Sequence, residues 1–184
     1  MFSDKLKDLI NTISDKETLF VGLGNYLRQD DAVGLYFVKQ LKQKVKKNFH
    51  FILAETTPEN HLNYITQLNP EYIIFIDAAR FSRKVGEIRL LDTQEISSFS
   101  TSTHTSSILL IIEYLKKCID AKYFVVGIKV GNSSFGEGIS KEVLERVDRF
   151  IDLIVTQMSS FAVQNPNCSK GRLRYKNPSK TDRF

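Results

Sequence analysis

Nowhere in its 184 residues does the chain hold an apolar run near the roughly 18–20 residues that span a bilayer. No membrane insertion is expected from it. Its opening, Met1-Phe2-Ser3-Asp4-Lys5-Leu6-Lys7, lacks the charged-then-apolar order of a signal peptide. That argues against secretion and points to a cytoplasmic protein. Cysteine is scarce: only Cys118 and Cys168 occur, too far apart for a C-x-x-C pair. A lone disulfide is not expected in a reducing compartment. With no cysteine cluster, any metal site must use histidine and carboxylate ligands. An excess of one charge is also missing from the body. Of 26 basic and 21 acidic residues, six basic ones face a single acid from Asn165 onward. The basic balance therefore belongs to residues 165–184, which read as a solvated, disordered tail rich in Asn, Pro, Ser and Lys. A neutral body lacks the basic face of a nucleic-acid-binding domain.

Several catalytic signatures are absent as well. There is no G-x-S-x-G elbow for a serine nucleophile. Cys118 falls at a helix end and reads as a small helix residue rather than a thiolate nucleophile. A two-lobed aspartic protease would need a repeated half, and the chain is short and unrepeated. The loop after the first apolar run has Gly22 and Gly24, but Leu27 stands where G-x-G-x-x-G needs its third glycine. Its acids also occupy the place where a pyrophosphate needs N–H donors.

What remains is a body, residues 1–164, in which short apolar runs alternate with longer amphipathic stretches. The hydrophobic fraction is 42%, ordinary for a globular chain. Strands are expected at 18–23, 49–54, 72–76 and 123–130, with a shorter edge strand over 86–91. Tyr72-Ile73-Ile74-Phe75-Ile76 is apolar at every position, which suits a strand covered on both faces in a parallel sheet. Helices are expected over about 31–47, from Pro58 to Asn69-Pro70, over about 105–117 and over about 140–157. Their core stripes are Val33, Phe37, Leu41 and Val45; Leu62, Ile65 and Leu68; Ile108, Ile111, Ile112 and Leu115; and Val143, Val147, Phe150, Ile151 and Ile154. Ser140 suits the N-cap of the last helix. Residues 92–103 read as a Ser/Thr-rich loop and 132–138 as another. The expected fold is one α/β domain, a three-layer α/β/α sandwich with a mostly parallel twisted sheet and helices on both faces.

Ligands on such sheets bind at the carboxyl ends of the strands. Three polar groups fall there: Asp30-Asp31 in the first loop, Asp77 after the all-apolar strand, and His104 at the start of a helix. Two carboxylates and an imidazole around an open position suit a divalent transition metal, with ligand distances of about 2.0–2.2 Å for a zinc-like ion. Each also has a structural alternative. Asp31 could cap a helix, Asp77 could accept backbone N–H groups at a strand end, and His104 could sit at a helix terminus without a ligand role. Together the alternatives weaken, since an acid closing a wholly apolar strand is costly without a partner. His50 and His61 read as surface residues.

The stretch Val21-Gly22-Leu23-Gly24-Asn25-Tyr26-Leu27-Arg28-Gln29-Asp30-Asp31-Ala32-Val33-Gly34 resembles the signature of the hydrogenase maturation endopeptidases. Thr57-Pro58-Glu59-Asn60, Ile76-Asp77-Ala78, Ser102-Thr103-His104 and Gly127-Ile128 follow in that family's order. The likeness runs from about Leu19 to Ile154. The Pro-Glu-Asn and Ser-Thr-His pieces look most like the branch serving formate-hydrogenlyase-type enzymes. Arg80 stands where that family often has an acid, and Val130 where it often has proline. The resemblance implies a peptidase of aspartic or metal-dependent type. It would remove a C-terminal extension from a nickel–iron hydrogenase large-subunit precursor after nickel insertion. It further implies Asp31, Asp77 and His104 as metal ligands, with nickel supplied by the substrate, and Asp31 or Asp77 as general base. A monomer acting on that one protein partner is the expectation. A metal-assisted hydrolase or aminopeptidase of related fold, and a non-enzymatic nickel-binding maturation factor, are the alternatives.

Overall fold

The computed structural model describes residues 2–45, 49–81, 84–92 and 103–164, the side chains of 103–107, 162 and 164 excepted. The tail beyond 164, and the loop read over 92–103 apart from its ends, lie outside the described residues. The described residues hold five strands, β1 Thr18–Leu23, β2 Phe49–Glu55, β3 Tyr72–Ala79, β4 Ile88–Leu91 and β5 Lys122–Lys129. Among the described residues the α-helices are α1 Asp4–Ile13, α2 Val33–Lys44, α3 Leu62–Leu68, α4 Thr103–Cys118 and α5 Lys141–Gln164. The sheet order is β2-β1-β3-β5-β4, parallel except for β4, which runs antiparallel at the edge. No helix among the described residues is long and apolar enough to cross a membrane.

The central strand shows why its sequence is apolar throughout. Tyr72, Ile74 and Ile76 pack with residues of α1, α2 and α5, whereas Ile73 and Phe75 pack with residues of α3 and α4. With side chains alternating sides at period two, a strand between two helical layers must be apolar at both parities. The stripes on the helices match: Ile108, Ile111, Ile112 and Leu115 of α4 are buried, as are Val143, Val147, Phe150, Ile151 and Ile154 of α5.

Some boundaries differ from those the periodicity suggests. The segment expected as one helix from Asp31 begins as a 3-10 turn, Gln29–Ala32, and becomes α-helical only at Val33. Pro58 likewise opens a 3-10 turn, Pro58–His61, before α3. The edge strand is shorter than 86–91, because Gly86 at φ +76° turns the chain before Ile88. The last helix extends to Gln164. Sequence reading also missed α1. Its Leu6, Leu9, Ile10 and Ile13 are all buried, and their spacing carries the helical period.

Asn69 ends α3 in the left-handed conformation, φ +47° and ψ +56°, with its N–H donated to Ile65 O at 3.0 Å. Asparagine tolerates that conformation better than most residues other than glycine, because its short polar side chain can hydrogen-bond the local backbone. Asn69→Ala should cost about 1 kcal/mol and lower the melting temperature by roughly 2–4 °C, whereas Asn69→Gly should leave it unchanged or slightly raised. Thermal unfolding followed by circular dichroism reads the difference.

Candidate active site

The site lies where the carboxyl ends of β1 and β3 meet the start of α2, and glycine makes that meeting possible. A Cβ on Gly34 would collide with the carbonyl oxygens of both Ile76 and Leu23. The first turn of α2 therefore rests directly on the two strand ends. Gly24, at φ +133°, admits the carbonyl of Asp31 where a side chain would stand, and its N–H is donated to Glu55 O at 3.1 Å. The loop from β1 thus folds back on itself and delivers Asp31 beside β3. These glycines serve backbone-on-backbone packing, and the loop presents buried carboxylates at its helix start.

The adjacent acids have separate tasks. Asp30 accepts three backbone N–H groups from the far loop: Gly131 at 3.2 Å and Asn132 at 3.1 Å on Oδ2, and Ser140 at 2.6 Å on Oδ1. Its own N–H is donated to Asn132 O at 3.1 Å. Ser140 is the N-cap of α5 as expected, its carbonyl accepting the Leu144 N–H at 3.0 Å. Asp31 faces Asp77. Successive side chains of a 3-10 turn diverge by roughly 120°, so neighbouring acids there cannot address one target. That division was missed by reading Asp30-Asp31 as a single group, although the turn geometry contains it.

Asp77 lies inside β3 rather than just beyond a strand ending at Ile76. It is buried, pairs in register with Gly127 of β5, and accepts the Ala78 N–H on Oδ1 at 2.9 Å. Burial raises its pKa from 3.8 to about 7, the negative charge of Asp31 adds to the rise, and the Ala78 N–H opposes it. Two carboxylates sharing a dry corner favour either a shared proton or a cation. Their chemistry thus fits a hard or borderline metal ion.

By strand parity Asp77 belongs to the face of Ile73 and Phe75, the layer that α4 covers. His104 lies in the first turn of α4, and its side chain is outside the described residues. Among the described residues no group of three His, Cys, Asp or Glu side chains is gathered for a metal. The structure thus brings Asp31 and Asp77 together and places the backbone of His104 in the same layer. His50, half-buried, pairs with Glu17 across 2.9 Å near the amino ends of β1 and β2. Cys118 is exposed at the far end of α4.

Comparison with known proteins agrees with this architecture. The family model described as hydrogenase maturation protease matches residues 35–157, a span holding both Asp77 and His104. A putative hydrogenase maturation protease of Methanocaldococcus jannaschii is 34% identical over 163 residues, covering 84% of this chain and 92% of that protein. The hydrogenase 3 maturation protease of Escherichia coli is 29% identical over 104 residues, 56% of this chain and 67% of that one. Among solved structures, the nickel–iron hydrogenase maturation protease HycI from Thermococcus kodakarensis superposes with a TM-score of 0.73 at 26% identity, covering 83% of this chain and 99% of that one. From the match over most of its body and the shared fold, the chain belongs to the hydrogenase maturation protease family.

Proposed function

We propose that this endopeptidase removes the C-terminal extension of a nickel–iron hydrogenase large-subunit precursor, and that nickel carried by the precursor is what the site reads. The observation carrying this reading is the buried Asp31–Asp77 pair at the sheet's carboxyl edge, with Asp77 held near neutrality by burial and by its neighbour's charge. Like charges close together in a dry corner repel, and a cation brought by the substrate relieves that repulsion. Affinity then depends on the cation, so a precursor without nickel binds poorly and stays uncut. His104 is the proposed third ligand, from its place in the layer facing Asp77.

The chemistry assigned to this chain is proton transfer and orientation. A carboxylate that titrates near neutral pH is matched to general-base work. Asp77 or Asp31 takes a proton from a water, the water oxygen bonds to the scissile carbonyl carbon, and the C–N bond breaks as the proton passes to the leaving nitrogen. The Pro-Glu-Asn and Ser-Thr-His motifs support a place in the formate-hydrogenlyase-type branch.

One mass spectrum tests the reading. Nickel-loaded precursor mixed with this protein should lose the mass of its extension, and nickel-free precursor should not. Unchanged mass in both would leave a nickel-binding factor without peptidase activity. Cleavage of unrelated peptides in the absence of nickel would favour a general metal-assisted hydrolase.

A further inference from the structure

Beside the Asp31–Asp77 corner, two loops are joined edge to edge. Gln29 N–H is donated to Gly136 O at 2.9 Å, Gly136 N–H to Leu27 O at 2.9 Å, and Asp30 fastens the same loop at its base through the bonds described above. Arg80, three residues past Asp77, adds a hydrogen bond from its guanidinium to Ser133 Oγ. The far loop is thus held from the first loop, from Asp30 and from the end of β3. Gly136, at φ +149°, allows the close approach, since a Cβ there would meet Gln29 Nε2 at 2.9 Å.

This braced pair of loops carries its apolar side chains outward. Tyr26 is 45% exposed, Leu27 50% and Phe135 83%. A single exposed apolar residue is ordinary, but three on hydrogen-bonded backbones next to a reacting site form a patch. We infer that the loops at 25–29 and 131–138 are the surface on which the precursor lays an apolar, extended segment next to the bond to be cut, and that Asp30 is the positioning residue holding it. The inference rests on the proposed function of the neighbouring carboxylates. The surface is continuous with that site, because Asp31 follows the Asp30 anchor directly in the chain. Its occupant must therefore be the same polypeptide that enters the site. Arg28 in the first loop, Glu137 in the second and Arg80 beside it are exposed, so the rim is of mixed charge and the segment that fits is selected by its apolar residues. Bracing before binding lowers the ordering cost of association.

Steady-state cleavage of nickel-loaded precursor tests this. Phe135→Ala should raise KM about tenfold, the scale of returning one aromatic ring from apolar packing to water, with kcat within about twofold. Phe135→Leu should recover most of the loss, because apolar area is what is needed. Asp30→Asn places an N–H₂ donor among N–H donors and should raise KM similarly. The Asp30→Asn/Phe135→Ala double variant should be little worse than the worse single one. Leu110→Ala, exposed on α4, should change neither constant. An unchanged KM in Phe135→Ala overturns the inference, whether or not Asp30→Asn folds. Losses that multiply, or a fall in kcat alone for Asp30→Asn, overturn the role of Asp30. If the wild type cuts and Phe135→Ala cuts equally well, only the docking surface fails. If the wild type leaves the nickel-loaded precursor uncut, the reading of the site fails first and the surface with it.

Discussion

Asp77→Asn is expected to lower precursor processing by about 10²–10⁴-fold, the usual worth of a positioned acid or base, while making the metal-free protein more stable. The two effects have one cause. In the folded chain Asp77 holds its proton up to about pH 7, against 3.8 for an ordinary aspartate. The folded state therefore binds that proton more tightly than the unfolded state does. Below about pH 4 the group is protonated in both states and costs nothing. Between about pH 4 and 7 the unfolded chain releases the proton and the folded chain does not, so stability declines as pH rises. Above pH 7 the full penalty stands, on the order of 4 kcal/mol at 1.36 kcal/mol per tenfold change in proton affinity. Asparagine keeps an Oδ1 for the Ala78 N–H and has no charge to desolvate. Denaturant unfolding should show little difference between wild type and variant at pH 4, and a more stable variant at pH 8. Asp31→Asn should abolish processing too. It should lower the Asp77 pKa only in part, because burial, the larger cause, remains. His104→Ala is expected to lose processing with the fold intact. Full processing by any of the three variants would remove that residue from the site, and a pH-independent stability difference for Asp77→Asn would contradict a raised Asp77 pKa in the folded chain.

Gly34→Ala should be among the most damaging single methyl groups in the chain. The added carbon meets two backbone carbonyls, of Ile76 and Leu23, and neither belongs to a side chain that can swing aside. The first turn of α2 must then lift from the sheet. Overpacking of this kind costs about 1–3 kcal/mol, which for a domain of this size is roughly 2–12 °C in melting temperature. The site suffers more than the fold, because Asp31 lies in the 3-10 turn that leads into α2, three residues before Gly34, while Asp77 follows Ile76 directly. Lifting the helix separates the two carboxylates, and about 1 Å of misplacement can cost on the order of 10²-fold in rate. Gly138→Ala is the matching control. Gly138 has φ +89° but nothing within 4 Å of its added carbon, so only backbone strain is introduced. Equal falls in kcat in the two variants would show that the close approach of α2 is not what aligns the site.

Much of this architecture is written in local pattern. A run apolar at every position, such as Tyr72 to Ile76, has only a doubly covered strand as a stable home, and the structure puts it between both helical layers. The stripes of α4 and α5 and the N-cap at Ser140 follow from period and capping chemistry in the same way. The helix α1 was equally legible, since Leu6, Leu9, Ile10 and Ile13 mark one face at helical spacing. Boundaries were less accessible. Whether residues 29–32 form a 3-10 or an α turn depends on how closely the loop can fold against β3.

Residue types and their order along the chain were enough to bring acids to the carboxyl edge of a parallel sheet, because topology alone places strand ends together. They could not divide Asp30 from Asp31. One anchors a loop over 100 residues away and the other faces Asp77, a division made by the angle between successive side chains in one short turn. Nor could they make Asp77 an acid that titrates near neutrality. That property belongs to no residue by itself: it arises when packing removes water from a carboxyl group and sets a second negative charge beside it.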